Sequence, residues 1–171
     1  MPRNNNATFW SMLSVIMAMI ITIVNILWTT GYDIYRDTQE TKNIKTAFYI
    51  EANKNKIPFV ALDKFKITLT HTEPTGDNYA LNKILIIGSE AISDDVYNNY
   101  IGKIDKLSPK DAYDIIALHS AYKIFVNAAS EFKSETQNDI IKTATYNTDI
   151  IDAYILYKEL NESLLKNFGD N

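Results

Sequence analysis

The side chains that could do chemistry are few and lie far apart. The chain has two histidines, His71 and His119. His71 falls in a stretch that alternates apolar and polar residues, and His119 beside the apolar stripe of a predicted helix. Neither belongs to a motif, and a packed or half-exposed histidine accounts for each. Asp111 with Asp114, and Asp149 with Asp152, set carboxylates three residues apart, the spacing at which a helix puts two ligands on one face. A solvated helix face explains both pairs equally well. No HExxH, GxSxG, glycine-rich phosphate loop or calcium-loop spacing occurs. The expectation is a protein without catalytic, cofactor-binding or metal-ligating residues, and not an enzyme. The eleven tyrosines suit amphipathic packing surfaces or an interface.

With no cysteine, disulfides and thiol chemistry are excluded, on either side of a membrane. Seventeen basic residues face twenty-one acidic ones, and only Arg3 precedes the first apolar run, so the remainder carries a net charge of −5. That balance argues against a nucleic-acid partner.

The elements that must position any site begin with residues 7–28, ATFWSMLSVIMAMIITIVNILW, inside an uncharged run from Asn4 to Tyr32. As a helix they span about 33 Å, enough for a hydrocarbon core of roughly 30 Å. Trp10 at one end and Trp28 and Tyr32 at the other are the rings expected at headgroup level. A cleaved signal peptide has a shorter apolar core and a small-x-small site, for which Ile26-Leu27-Trp28-Thr29-Thr30 is a poor match, so an uncleaved anchor is expected. Ser11, Ser14, Ala18, Thr22, Asn25 and Thr29 follow at helical spacing and line one face. Small and hydroxyl-bearing residues mark helix interfaces in lipid, so the stripe predicts a homo-oligomer or a membrane partner helix. The competing reading has Ser and Thr bonding back to their own helix, with Asn25 near the interface. Arg3 and the terminal amine before the span, and Asp33, Arg36, Asp37 and Glu40 after it, favour a cytoplasmic N-terminus, an asymmetry that Lys42 and Lys45 reduce.

The expected organisation is a cytoplasmic tail over 1–6, a transmembrane helix over 7–28, a juxtamembrane helix over 29–57 and an extracytoplasmic α+β domain over 58–171. The juxtamembrane segment lacks Pro and Gly from Tyr32 to Lys56 and ends before Pro58. In Lys64 to Thr72 the period falls to two, predicting a strand. A turn at Glu73–Asn78 leads into Tyr79 to Ile87, the partner arm of a β-hairpin, with a buried helix over 79–92 as the competing reading. Ser93 could cap a helix carrying Val96, Tyr100 and Ile104, weakened by Gly102. Ser108-Pro109-Lys110-Asp111 is a clearer start, followed by the stripe Ile115, Leu118, Tyr122, Phe125, Ala129 and Phe132. A second helix from about Thr136 to Phe168 should fold back on it as an antiparallel hairpin. The fold class is thus α+β and mainly helical.

The order of one span, Trp28-Thr29-Thr30-Gly31 at its exit, a polar helix, and Val60-Ala61-Leu62 leading into Phe65 to His71 resembles the first half of the T-even bacteriophage holin family. The likeness covers residues 10–90 at most, and the shorter N-terminal tail, missing cysteine and helical second half depart from it. It implies an inner-membrane protein with a periplasmic domain that oligomerises to permeabilise the bilayer and whose outer domain meets a protein partner. The departures put antiholin binding in doubt. A different class of function, a bitopic structural or sensory subunit of an envelope complex, uses the span as an anchor only.

Overall fold

The computed structural model describes residues 5–60, 78–136 and 147–169, with side chains from Leu13 onward. Helix α1 runs Asn5–Lys54 and is followed by a 3-10 turn at Ile57–Phe59. Then come α2 (Asn78–Ala91), α3 (Asp95–Tyr100), a 3-10 stretch (Ile101–Lys106), α4 (Pro109–Thr136) and α5 (Thr148–Gly169). The chain divides into two compact units, Met1–Lys42 and Asn43–Asn171.

The first unit is helical. From Leu13 to Tyr35 its large apolar side chains are exposed, Trp28 to 78%. One helix of the described residues is long and apolar enough to cross a membrane, and none of its apolar window is buried.

The second unit is all helix among the described residues, which corrects the α+β expectation. Tyr79 to Ile87 forms most of α2, and not a hairpin arm; residues 64–77, which held the other strand and turn, lie outside the described residues. The reason is packing. Leu81, Leu85, Gly88 and Ile92 are buried at spacings of four, three and four, so the helical period governs, and tertiary burial overrides the β-branched character of Ile84, Ile86 and Ile87. Gly88 is required: a Cβ there would stand 2.3 Å from Phe59 Cε1.

Pro58 lacks the N–H that would continue α1, and the helix stops at Lys54. The residues just before that end belong to the second unit's core, with Ile44, Phe48 and Ala52 buried against Leu107, Ile115, Leu164 and Phe168. A larger cluster gathers Phe59, Leu81, Leu85, Phe125, Ile150, Ile151 and Tyr154. Phe59 meets Phe125 and Tyr154 at ring distances of 5.8 and 4.7 Å.

Helix α4 begins as its sequence predicts. The Asp111 N–H donates to Ser108 Oγ at 3.2 Å, and that hydroxyl donates to Asp111 Oδ2 at 2.7 Å, a reciprocal cap with Pro109 at the first helical position. Helix α5 starts at Thr148, where Asn147 Oδ1 accepts from the Ile150 N–H at 3.1 Å; residues 137–146 of the expected helix lie outside the described residues. Asn167 Nδ2 donates to Asp114 Oδ2 at 2.9 Å while Phe125 stacks on Tyr157, so the start of α4 meets the end of α5 and the pair is antiparallel.

Candidate functional site

The first candidate is the face of α1 predicted to associate in the membrane. Ser11 and Trp10 lie on α1 ahead of Leu13. Ser14, Ala18, Thr22, Asn25 and Thr29 are exposed on the same helix, as are Trp28 and Tyr32. Helical geometry therefore brings the stripe together. Its hydroxyls are not uniformly available, however: Thr22 Oγ1 donates to Ala18 O and Thr29 Oγ1 to Asn25 O, each at 2.8 Å. A β-hydroxyl that bonds one turn back has spent its donor and keeps only acceptor capacity. That leaves the Asn25 carboxamide as the strongest group on the face, one turn from the Trp28 ring.

The second candidate lies within the second unit, where a polar cluster joins α1, α3 and α4. Glu51 Oε1 accepts from the Val96 N–H at 2.8 Å and from Ser93 Oγ at 3.1 Å. Asn55 clasps the Ser93 backbone, donating to its carbonyl at 2.7 Å and accepting from its N–H at 3.1 Å. The start of α3 is thus capped from another helix. Ser93, expected to supply that cap, sits at 3.5 Å from the Asp95 N–H and serves mainly as a partner of Glu51 and Asn55. Asp94 lies 2.9 Å from Lys123 Nζ and 3.7 Å from His119 Nδ1. The His119 ring stacks on Tyr97 at 3.5 Å and 2° between planes.

A void of about 30 Å³ lies among these groups, room for a water and little more. Burial raises the Glu51 carboxyl above the usual carboxylate range, outweighing its two hydrogen bonds, with Asp95 and Asp94 pushing the same way. Burial lowers the His119 imidazole, and Asp94 offsets this only in part. Chemically the cluster can hold a helix terminus and two shifted protons. The signal for it in the sequence was faint: Glu51 and Asn55 are four residues apart on a polar helix, but their partners lie some forty residues on.

The paired acids are separated by their structural duties. Asp111 pairs with Lys45 Nζ at 2.9 Å, and Asp114 accepts from Asn167. Burial would raise the Asp111 carboxyl, but the hydrogen bonds from Lys45 and Ser108 and the Lys45 charge outweigh it and hold it low. Asp149 and Asp152 lie exposed in the first turns of α5. Among the described residues no group of three or more His, Cys, Asp or Glu is placed to hold a metal ion. His71 lies outside the described residues.

Compared with protein-family models, curated proteins and solved structures, the chain matches none.

Proposed function

We propose that this chain is a non-enzymatic, single-pass inner-membrane protein that acts by oligomerisation and protein interaction, with holin-like permeabilisation of the bilayer as its specific activity. The observation that carries the reading is the run of exposed apolar side chains from Leu13 to Leu27, bounded by the exposed rings of Trp28, Tyr32 and Tyr35. Burying such a surface in lipid is the favourable outcome, since a soluble protein rarely exposes so long an apolar stretch. Arg3 and the terminal amine ahead of the run, with Asp33, Arg36, Asp37 and Glu40 after it, favour the N-terminus inside and the helical unit in the periplasm, an asymmetry that Lys42 and Lys45 reduce. The Asn25 carboxamide supplies the cross-helix bonding that an oligomer would use.

One observation favours the alternative, a membrane-anchored structural or sensory subunit. Because Thr22 and Thr29 bond back to their own helix, the face offers fewer donors to a neighbour than its composition suggests. A potential-sensitive dye decides between the two when the chain is expressed in bacteria. The holin-like reading expects an abrupt loss of membrane potential once the protein has accumulated. A chain recovered in the membrane fraction at high level, with the potential intact throughout, ends that reading and leaves the anchored subunit.

A further inference from the structure

Helix α4 turns one side to the core and leaves the other open. On the open side Tyr113, Ile116 and Ile124 are 72%, 43% and 52% exposed, three large apolar side chains within about three turns. With Ser120 and Asn127, both exposed, they form one stripe at spacings of three, four, four and three residues. That pattern reads the same from either end and is centred on Ser120. The Ser120 hydroxyl donates to Ile116 O at 2.9 Å, so its donor is already spent on its own helix and covering it leaves no donor unmade. The cation at the margin of the stripe, Lys123, is held by Asp94 at 2.9 Å.

We propose that this face docks a second copy of the chain, with the two α4 helices antiparallel across a two-fold axis through Ser120. A two-fold interface must be complementary to itself, and a stripe that is symmetric about its centre meets that condition. In this register Ile116 lies level with the partner's Ile124, and Tyr113 with the partner's Asn127. The small Ser120 on the axis lets the helices approach to the usual 8 to 10 Å or so. The charges beyond the stripe match as well. Lys110 stands outside one end and Glu131 outside the other, both exposed, and the antiparallel register brings each Lys110 level with the partner's Glu131. Opposite signs at the two ends suit a self-complementary partner and not a uniformly anionic lipid surface. A shallow groove between Asn127, Ser130, Glu131 and Ser134 lies where the partner's Tyr113 ring would rest. This goes beyond the membrane reading, because it places self-association in the helical unit whether or not α1 associates.

The absence of cysteine makes the register directly testable by disulfide formation in the full chain, reconstituted in vesicles and oxidised. In Ser120→Cys the two thiols meet on the axis, within disulfide reach, and a covalent dimer is expected. Ser134→Cys is the control, since its hydroxyl also bonds its own helix, to Glu131 O, and the side chain is exposed. In the proposed dimer its two copies stand twenty-eight residues of helix, about 42 Å, apart and should not cross-link. Adding Lys110→Glu to Ser120→Cys should lower the yield of covalent dimer, and adding Glu131→Lys as well should restore it, because the swapped charges face each other again. The same pattern should persist in Asn25→Leu, so failure of the membrane face and failure of this surface are read apart. A Ser120→Cys chain that stays monomeric on oxidation overturns the proposal and leaves the face to a different protein. Equal yields at Ser120→Cys and Ser134→Cys overturn it too, as does a double charge swap that fails to rescue.

Discussion

The Glu51 carboxylate holds the start of α3 from a different helix, and it does so at the cost of being buried near Asp94 and Asp95. Removing the acceptor and removing the charge should therefore have different effects. Glu51→Ala deletes the cap and is expected to cost about 1 kcal/mol, within the range for lost helix caps, whereas Glu51→Gln keeps an acceptor and relieves the charge, and should cost much less at neutral pH. Denaturant midpoints of the two variants check this, and equal losses would show that the charge itself is needed. The protons report on the same cluster. His119 has a lowered pKa, so its contribution to stability is present above its ordinary value of 6.5 and is lost as pH falls through the folded value. Glu51 is raised, so its contribution is present below 4.5 and is lost as pH rises through its folded value. His119→Phe keeps a ring to stack on Tyr97 but cannot titrate. Stability measured from pH 7.5 down to pH 5 should decline less in that variant than in the wild type, and Glu51→Gln should make the decline steeper by removing the opposing slope. Identical profiles would mean that neither group binds protons differently in the folded and unfolded chain within that window.

Among the elements, those with local signals were legible and those decided by distant packing were not. Ser108-Pro109-Lys110-Asp111 marks the start of α4 through a cap closed within three residues, and the stripe behind it places Ile115, Phe125, Ala129 and Phe132 in the core. The end of α1 could be read from Pro58 alone. Helix α2 was misread because Ile84-Leu85-Ile86-Ile87 is a short apolar run whose period decides nothing, and because Asn82 and Ser89, both buried, interrupt the apolar pattern that would have shown a helical face. The cap from Glu51 and the pairing of Asn161 with Ala52 O link residues distant in sequence and left no local trace. The approach of α2 to the Phe59 turn is the tightest of these contacts. Gly88→Ala would drive its new methyl into the Phe59 ring, and overpacking of this kind costs roughly 1 to 3 kcal/mol. Phe125→Ala, at 0% exposure between Phe59, Tyr154 and Tyr157, should cost about 3 to 5 kcal/mol. Both losses are measured as a fall in the melting temperature of the helical unit, with Phe125→Ala the larger. A Gly88→Ala chain that melts like the wild type would mean that Phe59 is free to move aside.

For the whole molecule, the question is whether α1 serves to associate or merely to anchor, and the hydrogen bonds along its face sharpen the test. Thr22 and Thr29 have committed their donors to Ala18 O and Asn25 O, so their side chains have little left to offer a second helix. Asn25 keeps an exposed carboxamide with two donors and an acceptor. If the face mediates self-association, Asn25→Leu should weaken it by roughly 0.6 to 2 kcal/mol, the range found for polar contacts between helices in membranes. Thr22→Val, nearly the same shape with its internally bonded hydroxyl gone, should change association far less, and Ile16→Leu, off the stripe, should change it hardly at all. Energy transfer between labelled chains in vesicles gives the three dimerisation constants. In an oligomerising, permeabilising protein the order of those constants should be repeated in the delay before the membrane potential collapses, because the lesion is the assembly. In an anchored subunit Asn25→Leu should leave both association and the potential where they were. If association weakens in Asn25→Leu while permeabilisation keeps its timing, the oligomer is not the lesion, and the holin-like activity must be abandoned even though the face is real.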